Sequence, residues 1–267
     1  MGRAPNRHAV TITGDNVAPV VLLHGFGTDQ TIWDGLLAQF EPSTATLRYD
    51  HMGSGRSQLE GYDPHRYATL QGYADDLVEI LTTLDVRDAT IIGHSVSGMI
   101  SLLAAERTER ITRLVMIASS PRYLNAPGYV GGFEVDDVES LLAQMELDFL
   151  GWARSLGPAA MANPERPHLG EALVYSFSRA NPELLRGFAR ATFFTDLRER
   201  LPHCDKPVLV LQPSEDVIVP HQAAAYLAHQ LPRGRLQILS ATGHYPHVSA
   251  PAEVAAAIDA FRSDGRG

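Results

Sequence analysis

Over the first 120 residues, short apolar runs alternate with segments whose apolar residues recur every three or four positions. That rhythm constrains the fold more than any other feature. A strand buried on both faces reads as a continuous apolar run, and parallel neighbours need a helical crossover between them. Residues 20–24 (VVLLH) read as a buried strand that begins after Pro19 and stops at Gly25. Residues 29–40 offer a helix with Ile32, Trp33, Leu36 and Leu37 on one side, and residues 44–49 a strand that runs into the loop HMGSGRS. Leu70, Tyr73, Leu77, Ile80, Leu81 and Leu84 mark one face of a helix over 69–85. A strand over 89–93 (ATIIG), a helix over 96–106 and a strand over 111–118 follow.

The rhythm stops at Ser119 and returns only at Pro207. The residues between show no strand pattern, several Pro and Gly breaks and at least three helical patterns. Val138, Leu141, Leu142, Met145 and Phe149 make one stripe, and residues 170–180 and 182–195 make two more. Beyond Pro207 come a strand over 208–212, a helix over 221–230, a strand over 236–239, and a helix over 251–262 carrying Val254, Ala257, Ile258 and Phe261. The simplest architecture for 267 residues is one α/β core, 1–118 and 207–267, interrupted by a helical insertion at 119–206. The polar tail RSDGRG after Phe261 is expected to fray.

Charge and composition narrow the function. With 22 basic against 31 acidic residues and a net charge of −9, the chain has no basic run with which to neutralise phosphates, so nucleic acid is an improbable partner. The opening MGRAPNRHAVTITG lacks the apolar core of a signal peptide, and no apolar run approaches the ~20 residues of a membrane span. The expectation is a cytoplasmic protein with no membrane partner. Cys204 is the only cysteine, so no internal disulfide can form. Lys206 is the only lysine, and the arginine excess fits a GC-rich bacterial genome.

The chemistry concentrates at Gly93, His94, Ser95, Val96, Ser97 and Gly98, between a buried strand and a helix. A serine on such a turn needs small residues two positions before and after it, and its hydroxyl stands at the C-terminal edge of the sheet. Gly93 and Ser97 supply them, although strict G-x-S-x-G would have glycine where Ser97 stands. A serine hydroxyl needs a base to become a nucleophile, and the base needs an orienting acid. The strand at 208–212 runs into Pro213, Ser214, Glu215 and Asp216, which offers two carboxylates, Asp216 the better spaced. The next strand runs into Gly243 and His244, with His247 as a rival base three residues on. Gly243 favours a sharp loop that delivers His244. An oxyanion would need backbone N–H donors, each worth about 2.7–4 kcal/mol in the transition state. Val96 is expected to give one and Phe26, between Gly25 and Gly27, the other. Neither GxxxxGK[ST] nor GxGxxG is present, so a phosphate loop is not indicated.

In this order the segments HGFGTDQTIW, YDHMGSGRS, GHSVSGMI, SPRYLNAPGYVGGFE, SEDVIVP and GHYPH resemble an α/β hydrolase. More narrowly they resemble the RsbQ-type stress-signalling hydrolases of bacilli and the karrikin and strigolactone receptors of plants. The resemblance runs from about residue 8 to 262. It implies an α/β-hydrolase fold with a four-helix V-shaped cap, acid and base at Asp216 and His244, and tolerance of a residue other than glycine at Ser97. It also implies a substrate pocket lined by Phe26, Tyr123, Phe133, Leu141, Trp152, Leu156, Phe193 and Val217. Such a lining suits a small hydrophobic ester or lactone, hydrolysed by a monomer without a metal or other cofactor. The same resemblance carries a sensor reading, in which a regulatory protein partner answers to the bound ligand, and a more distant reading as a carbon–carbon bond hydrolase. Dehalogenase and epoxide-hydrolase relatives place Asp where this chain has Ser95.

Overall fold

In a computed structural model that describes residues 4–15 and 17–264, Val20 and Leu22 face one side of a sheet and Val21 and Leu23 the other. All four are fully buried, and that two-sided burial is why the strand is unbroken apolar sequence. The strands are β1 (Thr11–Thr13), β2 (Val20–Leu23), β3 (Thr46–Tyr49), β4 (Ala89–His94), β5 (Ile111–Ile117), β6 (Val208–Glu215) and β7 (Gly234–Thr242). They lie in the order β1-β3-β2-β4-β5-β6-β7, with β1 antiparallel to β3 and the other pairs parallel.

Helices α1 (Ala4–Arg7), α2 (Asp34–Leu37), α3 (Leu70–Thr83), α4 (Val96–Ala105), α9 (His221–Gln230), α10 (Pro246–Ser249) and α11 (Pro251–Ser263) accompany the sheet. On one face Val115, Ile117, Leu209 and Leu211 pack with Trp33, Leu36 and the α11 stripe Val254, Ile258 and Phe261. On the other face Leu114, Met116, Val208 and Val210 join Leu77, Ile80 and Met99 of α3 and α4. Each such aliphatic side chain contributes about 1.5–3 kcal/mol on burial.

Between β5 and β6 lie α5 (Val135–Leu147), α6 (Phe149–Met161), α7 (Pro167–Arg179) and α8 (Pro182–Phe193). Helix α5 packs on α6 and α8, and α6 packs on α7. Their starts are written locally. Glu134 and Asp137 form a reciprocal capping box at α5, and Asn181 caps α8 by accepting from the Glu183 and Leu184 N–H groups, with Pro182 in the first turn. Asp148 ends α5 and caps α6 by accepting from Gly151 N, so Phe149 belongs to α6 and not to the α5 stripe. Helix α6 carries Gly151, Gly157 and Pro158, which break up its apolar pattern.

Other boundaries differ from expectation. The helix expected over 29–40 is a 3-10 turn, Gln30–Trp33, followed by the single turn α2, which contains Gly35, a weak helix former. Strand β7 is longer than 236–239, because it is an edge strand with exposed Leu236 and Ile238 and lacks a buried run. Helix α11 takes in Arg262 and Ser263 of the tail expected to fray, while 265–267 lie outside the described residues. Among the described residues no helix is long and apolar enough to cross a membrane.

Candidate active site

Ser95 sits on the turn between β4 and α4 with φ 55 and ψ −124, a left-handed conformation for a residue with a side chain. Such strain costs about 1–3 kcal/mol and persists only where its surroundings enforce it. They do so here: the Ser95 N–H donates to Ile117 O at 2.8 Å, tying the turn to β5. Gly93 is required because a Cβ there would collide with the Ser97 carbonyl of the turn.

The strained turn presents Ser95 Oγ 2.8 Å from His244 Nε2, and His244 Nδ1 lies 2.8 Å from Asp216 Oδ2. Asp216 follows β6 and His244 follows β7, so the three groups meet at the C-terminal ends of strands, where open α/β sheets place their sites. The other oxygen of Asp216 accepts from the N–H groups of Ile218 (2.8 Å) and Val219 (3.1 Å). These bonds orient the carboxylate, whose contact with Nδ1 fixes His244 as the Nδ1–H tautomer. His244 Nε2 is then an acceptor of a hydrogen bond from the Ser95 hydroxyl. A second hydroxyl, Tyr123 Oη, lies 3.2 Å from Ser95 Oγ and is left to donate to it. Burial pushes the Tyr123 phenol well above its ordinary range, so it remains a proton donor at neutral pH. The arrangement can move a proton from serine to imidazole and balance the imidazolium with a fixed carboxylate.

The rival acid and base stand elsewhere. Glu215 is exposed at the end of β6, while its carbonyl accepts from Gly243 N. His247 is buried against Trp33, ring centroids 4.5 Å apart, with neither nitrogen partnered among the described residues. Burial, then the neighbouring His244, lowers its pKa to about 3, so it is neutral. His94 turns away from the cavity, and its Nε2 donates to the His244 carbonyl at 2.9 Å, steadying the loop that carries His244. From the helices, Ala160 O accepts from His244 N at 2.8 Å.

Behind the turn, Ser97 has a definite task. Its Oγ donates to His24 O at 2.5 Å and lies 2.9 Å from His51 Nε2, clamping α4 to the loop that leads into Phe26. Val96 opens α4, where first-turn N–H groups have no helical partner. Gly27, at φ 73, passes under the Phe177 ring, where a Cβ would clash. Burial depresses the pKa of His51 well below its ordinary value, with His24 and His8 adding to the effect, so the clamp is uncharged. The HMGSGRS loop is held by Asp50, which accepts from Gln30 N at 2.9 Å and Arg56 N at 2.8 Å.

Ser95 and His244 open on a narrow cavity of about 30 Å³, part of it continuous with solvent. Of the expected lining residues, Phe26, Tyr123, Leu141, Leu156 and Phe193 border it. Phe133 and Trp152 stand one layer back, Phe133 against Phe193 (5.5 Å) and Trp152 against Phe26 (6.0 Å) and Phe177 (5.4 Å). Val217 is corrected: it is 61% exposed and outside the lining. The turn folded around Asp216 directs Ile218 inward in its place. Ala160, Phe177, Thr192 and Tyr245 also border the cavity and were not expected there. Phe177 lay within the expected 170–180 helix and Tyr245 directly after His244, which were the available signals. A larger cleft, about 260 Å³, lies at the N-terminal ends of β5–β7 among Arg113, Arg233 and Arg235, far from any of these groups.

The fold, the strained serine turn and the strand-end histidine and aspartate define a class, and comparison with known proteins gives the same one. The sequence pattern of the alpha/beta hydrolase family matches residues 20–257, and the chain belongs to that family. It is 34% identical to the karrikin insensitive 2 receptor CA of Petunia hybrida over 257 residues, 94% of either chain. It is 36% identical to the strigolactone esterase D14 of Arabidopsis thaliana over 249 residues, 91% of either chain. A solved hydrolase from Oleispira antarctica superposes with a TM-score of 0.94 at 36% identity, covering 98% of this chain and 97% of that one. The protein is an enzyme of the α/β-hydrolase type.

Proposed function

We infer that this protein is a serine hydrolase that opens an ester or lactone of a small hydrophobic molecule through an acyl-enzyme. The observation that carries the reading is the hydrogen-bonded chain Ser95–His244–Asp216 bordering a mostly apolar cavity. Ser95 Oγ attacks the carbonyl carbon while its proton passes to His244 Nε2. The carbonyl electron pair moves to oxygen, where the N–H groups of Phe26 and Val96 receive it. Collapse of the tetrahedral adduct breaks the bond to the leaving oxygen, which takes the proton from His244. Water then attacks the acyl-serine through the same base and frees Ser95. Asp216 orients the imidazole and balances the imidazolium. With a lactone, the leaving alcohol remains attached to the acyl group. No step calls on a cofactor. The helices α5–α8 act as a cap on a core of residues 1–118 and 207–267, and the protein works as a cytoplasmic monomer. Stopped-flow hydrolysis of a 4-nitrophenyl ester tests the mechanism: a burst of one nitrophenolate per protein is expected, and undiminished turnover in Ser95→Ala overturns it.

A second reading rests on the Petunia relative, which is named a receptor and matches along 94% of this chain. In it, slow hydrolysis matters less than a rearrangement of α5–α8 that a protein partner reads. Pull-down with wild type and Ser95→Ala, with and without ligand, tests it, and failure to retain a partner under any condition counts against it.

A further inference from the structure

The lining is mostly apolar, and five of its residues carry polar side-chain groups: Ser95, Tyr123, Thr192, His244 and Tyr245. Four of these groups are engaged. Ser95 Oγ and His244 Nε2 bond to each other, Tyr123 Oη bonds to Ser95 Oγ, and Thr192 Oγ1 donates to Phe188 O at 2.8 Å. Tyr245 Oη makes no hydrogen bond among the described residues.

Tyr245 is nevertheless 3% exposed and firmly held. Its ring lies 4.6 Å from His94, 5.4 Å edge-on from His244 and 5.9 Å from His247, centroid to centroid. Its hydroxyl is not sealed in the manner of Tyr49 Oη, a buried atom with neither partner nor free surface among the described residues, and Tyr245 is one of the residues that border the cavity. Burial, the Asp216 charge and Tyr123 together push the Tyr245 phenol above its ordinary range. It therefore stays a donor at neutral pH, within electrostatic reach of Asp216 and beside Tyr123 in the lining. A donor already withdrawn from water gains more from an acceptor than one that must first be desolvated, and a site with such a group discriminates against ligands lacking the acceptor. The nearby Asp216 carboxylate makes an anionic acceptor unfavourable there.

We propose that Tyr245 is a specificity-determining donor, so that the site takes compact, uncharged, mostly apolar esters or lactones that carry a second carbonyl or ether oxygen beyond the scissile carbonyl. This rests on the serine-hydrolase reading and names the substrate class of the same site. A closing comparison uses 4-nitrophenyl hexanoate, 4-oxohexanoate and 5-oxohexanoate with wild type, Tyr245→Phe and Tyr245→Met. The quantity read is the ratio of kcat/KM for each oxo ester to that for the plain ester. That ratio is expected to fall about tenfold, for at least one oxo isomer, in whichever Tyr245 variant folds with a wild-type unfolding transition. The same ratios in wild type and variant for both isomers overturn the proposal. Ser95→Ala separates the two levels. If it is inactive and the ratios do not move, only the role of Tyr245 falls; if it still turns over the esters, the serine mechanism falls and the Tyr245 proposal with it.

Discussion

Ser95 and Leu141 border the same cavity but are held in place by different physics. On the sheet side, Ser95, Asp216 and His244 follow parallel strands, and main-chain bonds such as Ser95 N–H to Ile117 O fix where each can be. The turn carries strain that only such a scaffold sustains. On the helix side, Leu141, Leu156, Phe177 and Phe193 are aimed by side-chain packing among α5–α8, whose outer faces expose Leu147, Leu150 and Tyr175 and carry ion pairs such as Arg190–Glu139. Exposed pairs of that kind add little stability. On the proposed mechanism the contrast separates chemistry from selectivity: the strand ends set the reacting geometry, and the helices set what fits beside it. His244 N–H donating to Ala160 O is one place where the two regions are tied directly.

The contrast is broken most easily from the sheet side. Asp216→Asn should lower kcat about 10⁴-fold with little change in the fold, because the amide cannot hold His244 as the Nδ1–H tautomer. Steady-state kinetics with a protein of unchanged unfolding midpoint is the check, and a loss below tenfold contradicts the assignment.

Stability against acid should also depend on the sheet side. The neutral His247 ring titrates near pH 3 when folded and near 6.5 when unfolded, so between these values the unfolded chain binds more protons. Its contribution is therefore full above pH 6.5 and is lost as pH falls, by about 2 kcal/mol at pH 5. Burial depresses His51 and His94 in the same direction. Denaturant unfolding of His247→Phe at pH 7 and pH 5 should show a dependence shallower by about that amount; parallel curves for variant and wild type would rule this out.

From the helix side the effects are smaller and of another kind. Leu141→Ala enlarges the cavity and should shift preference toward longer acyl chains, with kcat/KM ratios between ester lengths moving about tenfold. A uniform loss across all lengths would mean that the helix side also shapes the reacting geometry. The smallest effect belongs to Val217→Ala: stability should stay within about 0.5 kcal/mol and selectivity unchanged, as measured by unfolding and by the same ester series.

The difference between the regions also decides what could be read from sequence. Strands β2 and β4, buried on both faces, announce themselves as VVLLH and ATIIG, and Ser95 is marked by the small residues that its turn requires. Strand β7 exposes half its residues and α6 is broken by Gly and Pro, so periodicity caught only the middle of the first and missed the second. Val217 and Ile218 are neighbours in a turn, where no period says which side chain faces inward; the bonds from Asp216 decide it. Ser97 looked like a departure from the glycine pattern, and its reason, the bond to His24 O, joins residues 73 apart in the chain. Tyr245 was hidden differently. It follows His244 directly, and only the inventory of bonds around the cavity separates it from Tyr123.

The most direct measurement is the mass of the protein trapped during turnover of a 4-nitrophenyl ester, followed by peptide mapping. One acyl group per chain is expected, located on Ser95 and absent from Ser95→Ala. An acyl group carried by another residue, or full turnover by Ser95→Ala, would contradict it.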